Sequence, residues 1–246
     1  MKKVLIVGAG PSGLSLACEL ARNGIIAKLI EKRNGASNFS RAVGIVPKTL
    51  DRFRTIGIEK AIEDEAVKIT LARIFNKGKL AIELDITKAS ISEHNYMTAL
   101  PQDRTEAILE QRFEELGGKV EYGIELDNIE ISQDGKSAKV IYTNGESETF
   151  DYIAGADGSR SRVAESVGIQ KHGYELPEIW HIADFHTKQQ DDINAATICK
   201  DEDKMLFVVR MAKARYRAVS NTNIDLANLP YGLEVSEIHR EGAFKI

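Results

Sequence analysis

The sequence predicts a mixed α/β fold in which a parallel sheet with flanking helices is interrupted by a β-rich insertion and followed by a second β-rich segment. Three observations predict this architecture. The apolar run Val4–Val7 leads into the glycine-rich turn Gly8–Gly13 and then into a helical pattern. Alternating apolar residues over Ile69–Ile86 interrupt the α/β pattern. Another short apolar run, Tyr152–Ala154, then leads into a second glycine-containing motif that includes Asp157-Gly158.

The first turn has the composition of a phosphate-binding loop. A buried strand that turns sharply into a helix needs Gly8 for unusual backbone angles, Gly10 for close approach to a pyrophosphate, and Gly13 for close helix packing. Pro11 and Ser12 then begin a helix whose free amides and dipole favour negative charge. The order of strand, turn and helix predicts a Rossmann-like dinucleotide site.

An acidic residue closes this first unit. The helix is expected to bury the stripe Leu14, Cys18 and Ala21, with Leu16 and Leu20 on a second stripe, and to stop at Asn23-Gly24. The run from Ile25 to Ile30 predicts the next strand. Glu31 follows Gly10 by 21 residues, close to the spacing of about 20 expected of a carboxylate that accepts ribose hydroxyls.

The remaining chain is predicted to alternate between β-rich and helical segments. Pro47 opens a short helix that Gly57 ends, and Asp103 with Glu106 forms a capping box for another helix. Three or four short strands are expected between 120 and 150, and further strands near 180–185, 205–211 and 216–220. The predicted domains are a dinucleotide-binding part over 1–70 and 99–172, a β insertion over 71–98, and a β-rich substrate domain over 173–246.

Composition narrows the class of protein and partner. The 246 residues carry a net charge of −4 with a pI near 5.8, which argues against nucleic-acid binding. No stretch approaches the roughly 18 apolar residues of a membrane span. Cys18 and Cys199 are expected to be reduced core residues, in keeping with a cytoplasmic protein.

Four blocks resemble, in order, the class A flavoprotein monooxygenases, the para-hydroxybenzoate hydroxylase-like FAD-dependent aromatic hydroxylases. The blocks are Gly8–Gly13 with Glu31 and Arg33; Ser40–Ile45; Leu100–Gln102; and Asp151–Arg162. The last contains the Asp-Gly motif of this family, and the likeness spans most of residues 1–170. The resemblance implies a glutathione-reductase-type FAD-binding fold with FAD as cofactor and NADPH or NADH as reductant. It implies the cofactor-binding residues Gly8, Gly10, Pro11, Ser12, Gly13, Glu31, Lys32, Arg33, Arg41, Gln102, Asp157 and Gly158.

The resemblance also implies roles for some of these residues. Glu31 would hold the adenosine ribose, with Lys32 and Arg33 beside it. Arg41 would lie over the pyrophosphate and the flavin side, and Gln102 would contact the ribityl–phosphate region. Asp157 and Gly158 would help to hold FAD, and Arg160 and Arg162 are candidates for the phosphates of NAD(P)H, since a guanidinium binds phosphate bidentately.

The function implied is hydroxylation of a phenolic or polyketide-like aromatic substrate with molecular oxygen. Because the cofactor carries this chemistry, no catalytic residue is assigned. Two alternative functions remain open: the protein is another FAD-dependent oxidoreductase or a halogenase relative, or it is a non-catalytic flavin-binding fragment. A short-chain dehydrogenase is not supported, because none of the seven tyrosines has a lysine four residues later. The sequence does not fix the oligomeric state.

Two further expectations concern what is missing. In the resembled family a further strand and a flavin-covering loop follow the block similar to Ser236–Arg240, whereas this chain stops at Ile246. We therefore expect residues 1–246 to be a truncated piece that is not a competent catalyst alone. No metal site is predicted, because His181 and His186 are an odd number of residues apart and point to opposite faces of a strand unless a bulge intervenes.

Overall fold

The computed structural model describes residues 2–36, 42–88, 92–170, 172–173, 177–188, 194–212 and 214–245. The α-helices are α1 (Pro11–Arg22), α2 (Pro47–Ile56), α3 (Glu59–Glu65), α4 (Gln102–Glu115) and α5 (Arg162–Ser166). The strands are β1 (Val4–Val7), β2 (Lys28–Glu31), β3 (Gly44–Ile45), β4 (Val67–Ile69), β5 (Leu71–Asn76), β6 (Lys79–Asp85), β7 (Met97–Ala99), β8 (Val120–Tyr122), β9 (Leu126–Ile131), β10 (Ala138–Tyr142), β11 (Ser147–Phe150), β12 (Tyr152–Gly155), β13 (Ile179–Thr187), β14 (Ala195–Asp201), β15 (Lys204–Ala212), β16 (Arg215–Ser220) and β17 (Val235–Lys245). Short 3₁₀ turns cover Ile86–Lys88 and Pro230–Gly232.

The first of two compact units contains Met1–Arg41, Thr55–Ile58 and Gln102–His172. Its central sheet is parallel, with strand order β12-β1-β2-β8. A three-stranded antiparallel sheet, β11-β10-β9, belongs to the same unit. The predicted α/β fold with a parallel sheet is therefore confirmed.

The first helix ends where the sequence predicts, but its faces differ from the expectation. Leu14, Cys18 and Ala21 are buried, whereas Leu16 is exposed, so the second stripe is not a core face. The Cys18 thiol donates to the Leu109 carbonyl of α4 at 3.3 Å, and its burial raises the pKa of the thiol to about 11. A helix packed on one side needs one apolar stripe, and α1 packs through the stripe that includes Cys18.

The second unit contains Ala42–Arg54, Glu59–Pro101 and Gly173–Ile246. Its largest sheet has strand order β17-β13-β16-β15-β14-β5-β6, antiparallel except for the parallel pair β14–β5. The predicted hairpin over β5 and β6 joins this sheet through β14. A small antiparallel sheet, β3-β7-β4, lies in this unit, which includes residues 42–54 and 59–70. These residues were predicted from the sequence to belong to the dinucleotide-binding part instead.

A buried ion pair stabilises the seven-stranded sheet. Arg217 on β16 is fully buried and donates two hydrogen bonds to Asp184 on β13, at 2.6 and 2.7 Å. The guanidinium also donates to the Ala42 carbonyl at 3.3 Å. A bidentate geometry with extra hydrogen bonds is what allows such a pair to be buried.

Among the described residues, no helix has both the length and the apolar character needed to cross a bilayer.

Candidate dinucleotide-binding site

The turn between β1 and α1 requires glycine at two positions for reasons of packing. Gly8 has φ of 103°, and a Cβ there would lie 2.5 Å from the Ala156 carbonyl oxygen. A Cβ on Gly13 would lie 1.9 Å from the Gly8 carbonyl oxygen. Both contacts are with backbone atoms that cannot rotate away, so a side chain at Gly8 would collide with the turn that follows β12, and one at Gly13 would force α1 away from the end of β1. The structural roles predicted for these two glycines follow directly from this geometry.

Gly10 differs from its two neighbours. Its φ of −79° and ψ of −178° are extended values that any residue adopts, and a Cβ there would meet no described atom within 4 Å. The fold itself therefore does not need glycine at this position. The open space in front of Gly10 belongs to a cavity of about 390 Å³. A glycine bordering open space at a helix start is the arrangement that lets a phosphate reach the backbone.

The helix start supplies donors to the same cavity. Gly10 is the N-cap and Pro11 is in the first turn of α1. The Leu14 amide donates to the Gly10 carbonyl at 3.0 Å, which is the first bond of the helix. Pro11 has no amide hydrogen, so the donors of the first turn are the amides of Ser12 and Gly13, which have no partner within the helix. Together with the helix dipole they favour an anion.

Glu31 is a fixed carboxylate at the end of β2. It is only 7% exposed, and it accepts hydrogen bonds from the Ala9 amide at 2.9 Å and the Arg33 amide at 3.0 Å. The Arg33 guanidinium donates a further bond at 3.2 Å. Burial raises the pKa of Glu31, but the hydrogen bonds from Arg33 and Ala9 outweigh it, so the pKa is lowered overall. The side chain is therefore ionised at neutral pH and lines the cavity.

Glu106 lies in this site without having been predicted there. It is buried on α4, where Gln102 donates to its side chain at 2.7 Å and the Arg33 guanidinium lies 3.9 Å away. Burial raises the pKa of Glu106 despite these neighbours. The sequence signal was its position one helical turn after Gln102, which places both side chains on one face.

The second motif meets the first at the carboxyl ends of the parallel strands. The Ala156 amide donates to the Val7 carbonyl at 2.8 Å, which places the Asp157-Gly158 turn beside the glycine loop. One Asp157 oxygen accepts from the Val163 amide at 3.0 Å at the start of α5. The other, Oδ1, is buried and has no hydrogen-bond partner among the described residues. Because a buried acceptor without a partner is costly, Oδ1 is the clearest sign that a ligand donor belongs here.

Two arginines follow this turn and differ in their surroundings. Within the described residues Arg160 makes no ion pair, and it lines the cavity from the Gly158 side. Arg162 also lines the cavity, but its guanidinium donates to the Asp127 backbone and side chain and to Glu165, at 2.8 to 3.2 Å. Arg160 is thus the freer of the two predicted phosphate ligands.

The structure brings most of the predicted site residues together around one cavity. Its lining comprises Val7, Gly8, Gly10, Ile30, Glu31, Lys32, Arg33, Gln102, Glu106, Ile124, Glu125, Leu126, Ala156, Asp157, Gly158, Arg160 and Arg162. Lys32 is exposed and lies 3.8 Å from Glu125. Arg41, which the resemblance placed over the pyrophosphate, lies outside the described residues.

These residues fit the adenosine and pyrophosphate end of FAD. The ionised Glu31 carboxylate can accept hydrogen bonds from ribose hydroxyls, and the open space at Gly10 lets a pyrophosphate reach the backbone amides. Asp157 Oδ1, which has no partner among the described residues, can accept a hydrogen bond from a ligand. The strand–turn–helix and its acidic partner thus define a dinucleotide-binding protein.

Comparison with known proteins specifies the family. The FAD-binding domain family matches residues 1–228, and the chain therefore belongs to it. It is 32% identical over 192 residues to 6-methylpretetramide 4-monooxygenase of Streptomyces rimosus, covering 74% of this chain and 33% of that protein. It is also 32% identical over 188 residues to 12-dehydrotetracycline 5-monooxygenase/anhydrotetracycline 6-monooxygenase of Streptomyces rimosus subsp. rimosus, covering 76% and 37%. The chain thus spans about a third of the length of these curated relatives.

The fold is shared with a solved flavoprotein. The flavin-dependent monooxygenase PieE, solved in complex with FAD and substrate, superposes with a TM-score of 0.83 at 20% identity. The match covers 100% of this chain and 49% of that one. The predicted resemblance, the predicted fold class and FAD as the cofactor are confirmed by these matches.

Proposed function

We propose that this protein is an FAD-dependent monooxygenase that hydroxylates a phenolic or polyketide-like aromatic substrate, using molecular oxygen and NADPH or NADH. The observation that carries the proposal is the fit of the cavity to the FAD adenosine end in a chain whose 32%-identical relatives are named polyketide monooxygenases. Bound FAD would supply the redox chemistry that activates oxygen.

Each part of the site would then have a separate task. Glu31 would accept the ribose hydroxyls, because it is ionised and its two oxygens are held by the Ala9 and Arg33 amides. The helix start at Gly10 would bind the pyrophosphate, and Asp157 Oδ1 would accept a hydrogen bond from the cofactor. None of these groups needs to move a proton during the reaction, since their tasks are to bind and orient the cofactor.

Arg160 is the better candidate for contact with NAD(P)H. Among the described residues no carboxylate engages Arg160 as Asp127 and Glu165 engage Arg162, so the Arg160 guanidinium is the better placed for a phosphate. Lys32 and Arg33 remain proposed flanks of the adenosine site, and Arg41 a proposed pyrophosphate ligand.

The test follows the substrate as well as the cofactor. Residues 1–246, and a second chain extended through the next Gly-Asp segment of the reading frame, are each supplied with FAD, NADPH or NADH, isotopically labelled oxygen gas, and a tetracycline-type or simple phenol. A product that carries one labelled oxygen atom, from the extended chain alone or from both, supports the proposal. Substrate-independent NAD(P)H oxidation by the extended chain without labelled product indicates another FAD oxidoreductase, and a halogenated product with added chloride indicates a halogenase relative. Flavin binding without any turnover by either chain indicates a non-catalytic flavin-binding chain.

We also propose a cytoplasmic location. Cys18 and Cys199 are both free thiols, which suits a reducing compartment. Separating cell fractions and probing each for the chain tests this, and recovery only from the extracellular medium would contradict it.

A further inference from the structure

Three side chains with metal-ligating atoms converge on the seven-stranded sheet of the second unit. His186 lies on β13, and Glu237 and His239 lie on the neighbouring strand β17. Their ligand atoms all lie within 4.8 Å of one another. The Nδ1 atom of His186 is 3.9 Å from one Glu237 oxygen, and the Nδ1 atom of His239 is 4.0 Å from the other.

The register of the two strands explains this convergence. His186 pairs directly opposite Glu237, so their side chains leave the same face of the sheet. The register then shifts between Phe185 and Asp184, whose partners are Ile238 and Arg240. His239 is therefore the extra residue of a β-bulge, a feature that re-aims side chains and is frequent beside functional sites.

The imidazoles of His186 and His239 are close enough to bind the same metal ion. Their ring centroids are 4.3 Å apart with an interplanar angle of 78°. Histidine and glutamate together form the donor set that zinc takes in many sites with three protein ligands. No metal site was predicted, because His186 was compared only with residues of its own strand. The three side chains instead come together from two neighbouring strands.

The charges around His186 are compatible with a cation. Arg215 on β16 pairs opposite His186, but its guanidinium also lies 3.9 Å from Asp184. The Glu237 carboxylate, whose oxygens lie 3.9 Å from His186 Nδ1 and 4.0 Å from His239 Nδ1, contributes a negative charge to the cluster. A metal ion binds the neutral form of an imidazole.

We propose that His186, Glu237 and His239 form a zinc-binding site, with further positions open to water or an oxygen ligand. Zinc–nitrogen and zinc–oxygen bonds of about 2.0–2.2 Å place tetrahedral ligand atoms roughly 3.3 Å apart. The three ligand atoms lie within 4.8 Å of one another, so each separation needs to shorten by at most about 1.5 Å. The three side chains are partly exposed, which leaves them room to move. This site does not depend on the function proposed above.

Zinc binding to the purified, chelator-treated chain tests the proposal by isothermal titration calorimetry with zinc chloride. The variants are His186→Gln and His239→Gln, and the matched control is His181→Gln, which lies on β13 with its side chain on the opposite face. We expect one zinc ion per chain, binding at least about tenfold weaker in each of the two variants and unchanged in the control. Absence of saturable binding, or equal affinity in all variants, would overturn the site.

A second measurement separates ligand loss from misfolding. Cobalt chloride replaces zinc, and its visible absorption is recorded together with the far-ultraviolet circular dichroism of each variant. Wild type and His181→Gln should show the absorption of cobalt in a low-coordinate nitrogen–oxygen site. Variants of His186 and His239 that keep the wild-type circular dichroism should lose it. Retention of that absorption in a folded His239→Gln variant would also overturn the proposal.

Discussion

Gly10 and Gly13 lie three residues apart in one turn, and substituting each should have opposite consequences. Gly10→Val introduces a side chain where the structure has open space, so the fold should persist while the approach to the pyrophosphate is blocked. Gly13→Ala introduces a single carbon 1.9 Å from the Gly8 carbonyl oxygen, so it should disrupt the packing of α1 on β1. The pair therefore separates binding from folding within one motif.

The magnitudes follow from the two environments. At Gly10 a side chain restricts the unfolded chain, which stabilises by about 0.4–1 kcal/mol, while loss of a glycine N-cap costs a similar amount, so the net change should stay within about 1 kcal/mol. At Gly13 the clash is with backbone, so the cost should reach at least the upper end of the roughly 1–3 kcal/mol typical of overpacking. Hydrogen bonds to a charged group contribute about 1.5–3 kcal/mol each, and losing one of them at Gly10 weakens FAD binding roughly ten- to a hundredfold or more.

The assays are urea unfolding of the flavin-free chain, followed by circular dichroism, and FAD titration followed by quenching of flavin fluorescence. Gly10→Ala serves as the milder companion of Gly10→Val and should weaken FAD binding less. Binding of FAD by Gly10→Val as tightly as by wild type would refute the role of Gly10 in binding. Unfolding of Gly10→Val as readily as Gly13→Ala would refute the open space in front of Gly10.

Four further predictions concern charged and capping residues. Because the pKa of Glu31 is lowered in the folded chain, the stability that this carboxylate contributes is complete above the ordinary glutamate pKa and is lost as the pH falls through the lowered native value. Glu31→Gln should therefore flatten the pH dependence of urea unfolding between about pH 3 and 7, and an unchanged profile would contradict this. The same carboxylate should make NADP bind more weakly than FAD in calorimetry, because a 2′-phosphate would meet a like charge, and tighter binding of NADP than of FAD would contradict a ribose-binding role. Asp157→Ala should weaken FAD binding, whereas Ser161→Ala removes only the N-cap hydrogen bond of α5 and should lower the free energy of unfolding by about 1 kcal/mol without changing FAD affinity. An equal loss of FAD affinity in both variants would contradict the role of Asp157. Asp184→Asn should destabilise the chain by about 3–5 kcal/mol, because it leaves Arg217 buried without its countercharge, whereas the double variant Asp184→Leu with Arg217→Met should destabilise it much less. Equal urea midpoints for the single and the double variant would contradict this.

The sequence predicted the parts of the fold that local patterns encode. The glycine turn, the parallel pairing implied by strand–helix–strand order, and the hairpin turns at Gly135 and Gly145 all have local signatures, and the structure contains them. The second strand was predicted from Ile25, but it begins at Lys28. Ile26 is 51% exposed, so its apolar character gave a misleading strand signal.

The parts that were missed depend on tertiary pairing. The strand β17 is mostly exposed along its 11 residues and has few apolar positions, so only its ladder with β13 makes it a strand. β14 was indicated only by the strand-like run around Cys199, and its parallel link between β5 and the rest of the sheet was not predicted. His239 gained its place from pairing across strands, which no single segment encodes.

We propose that the cavity between the two glycine motifs holds the ADP half of FAD. The most direct measurement is a competition titration, in which FAD bound to the purified chain is displaced by ADP and, separately, compared with direct binding of FMN. Because Glu31, Gly10 and Asp157 line this cavity, where the adenosine and pyrophosphate are proposed to bind, ADP should displace FAD, and FMN should bind at least about a hundredfold more weakly than FAD. Equal affinity for FMN and FAD, with no displacement by ADP, would contradict this assignment.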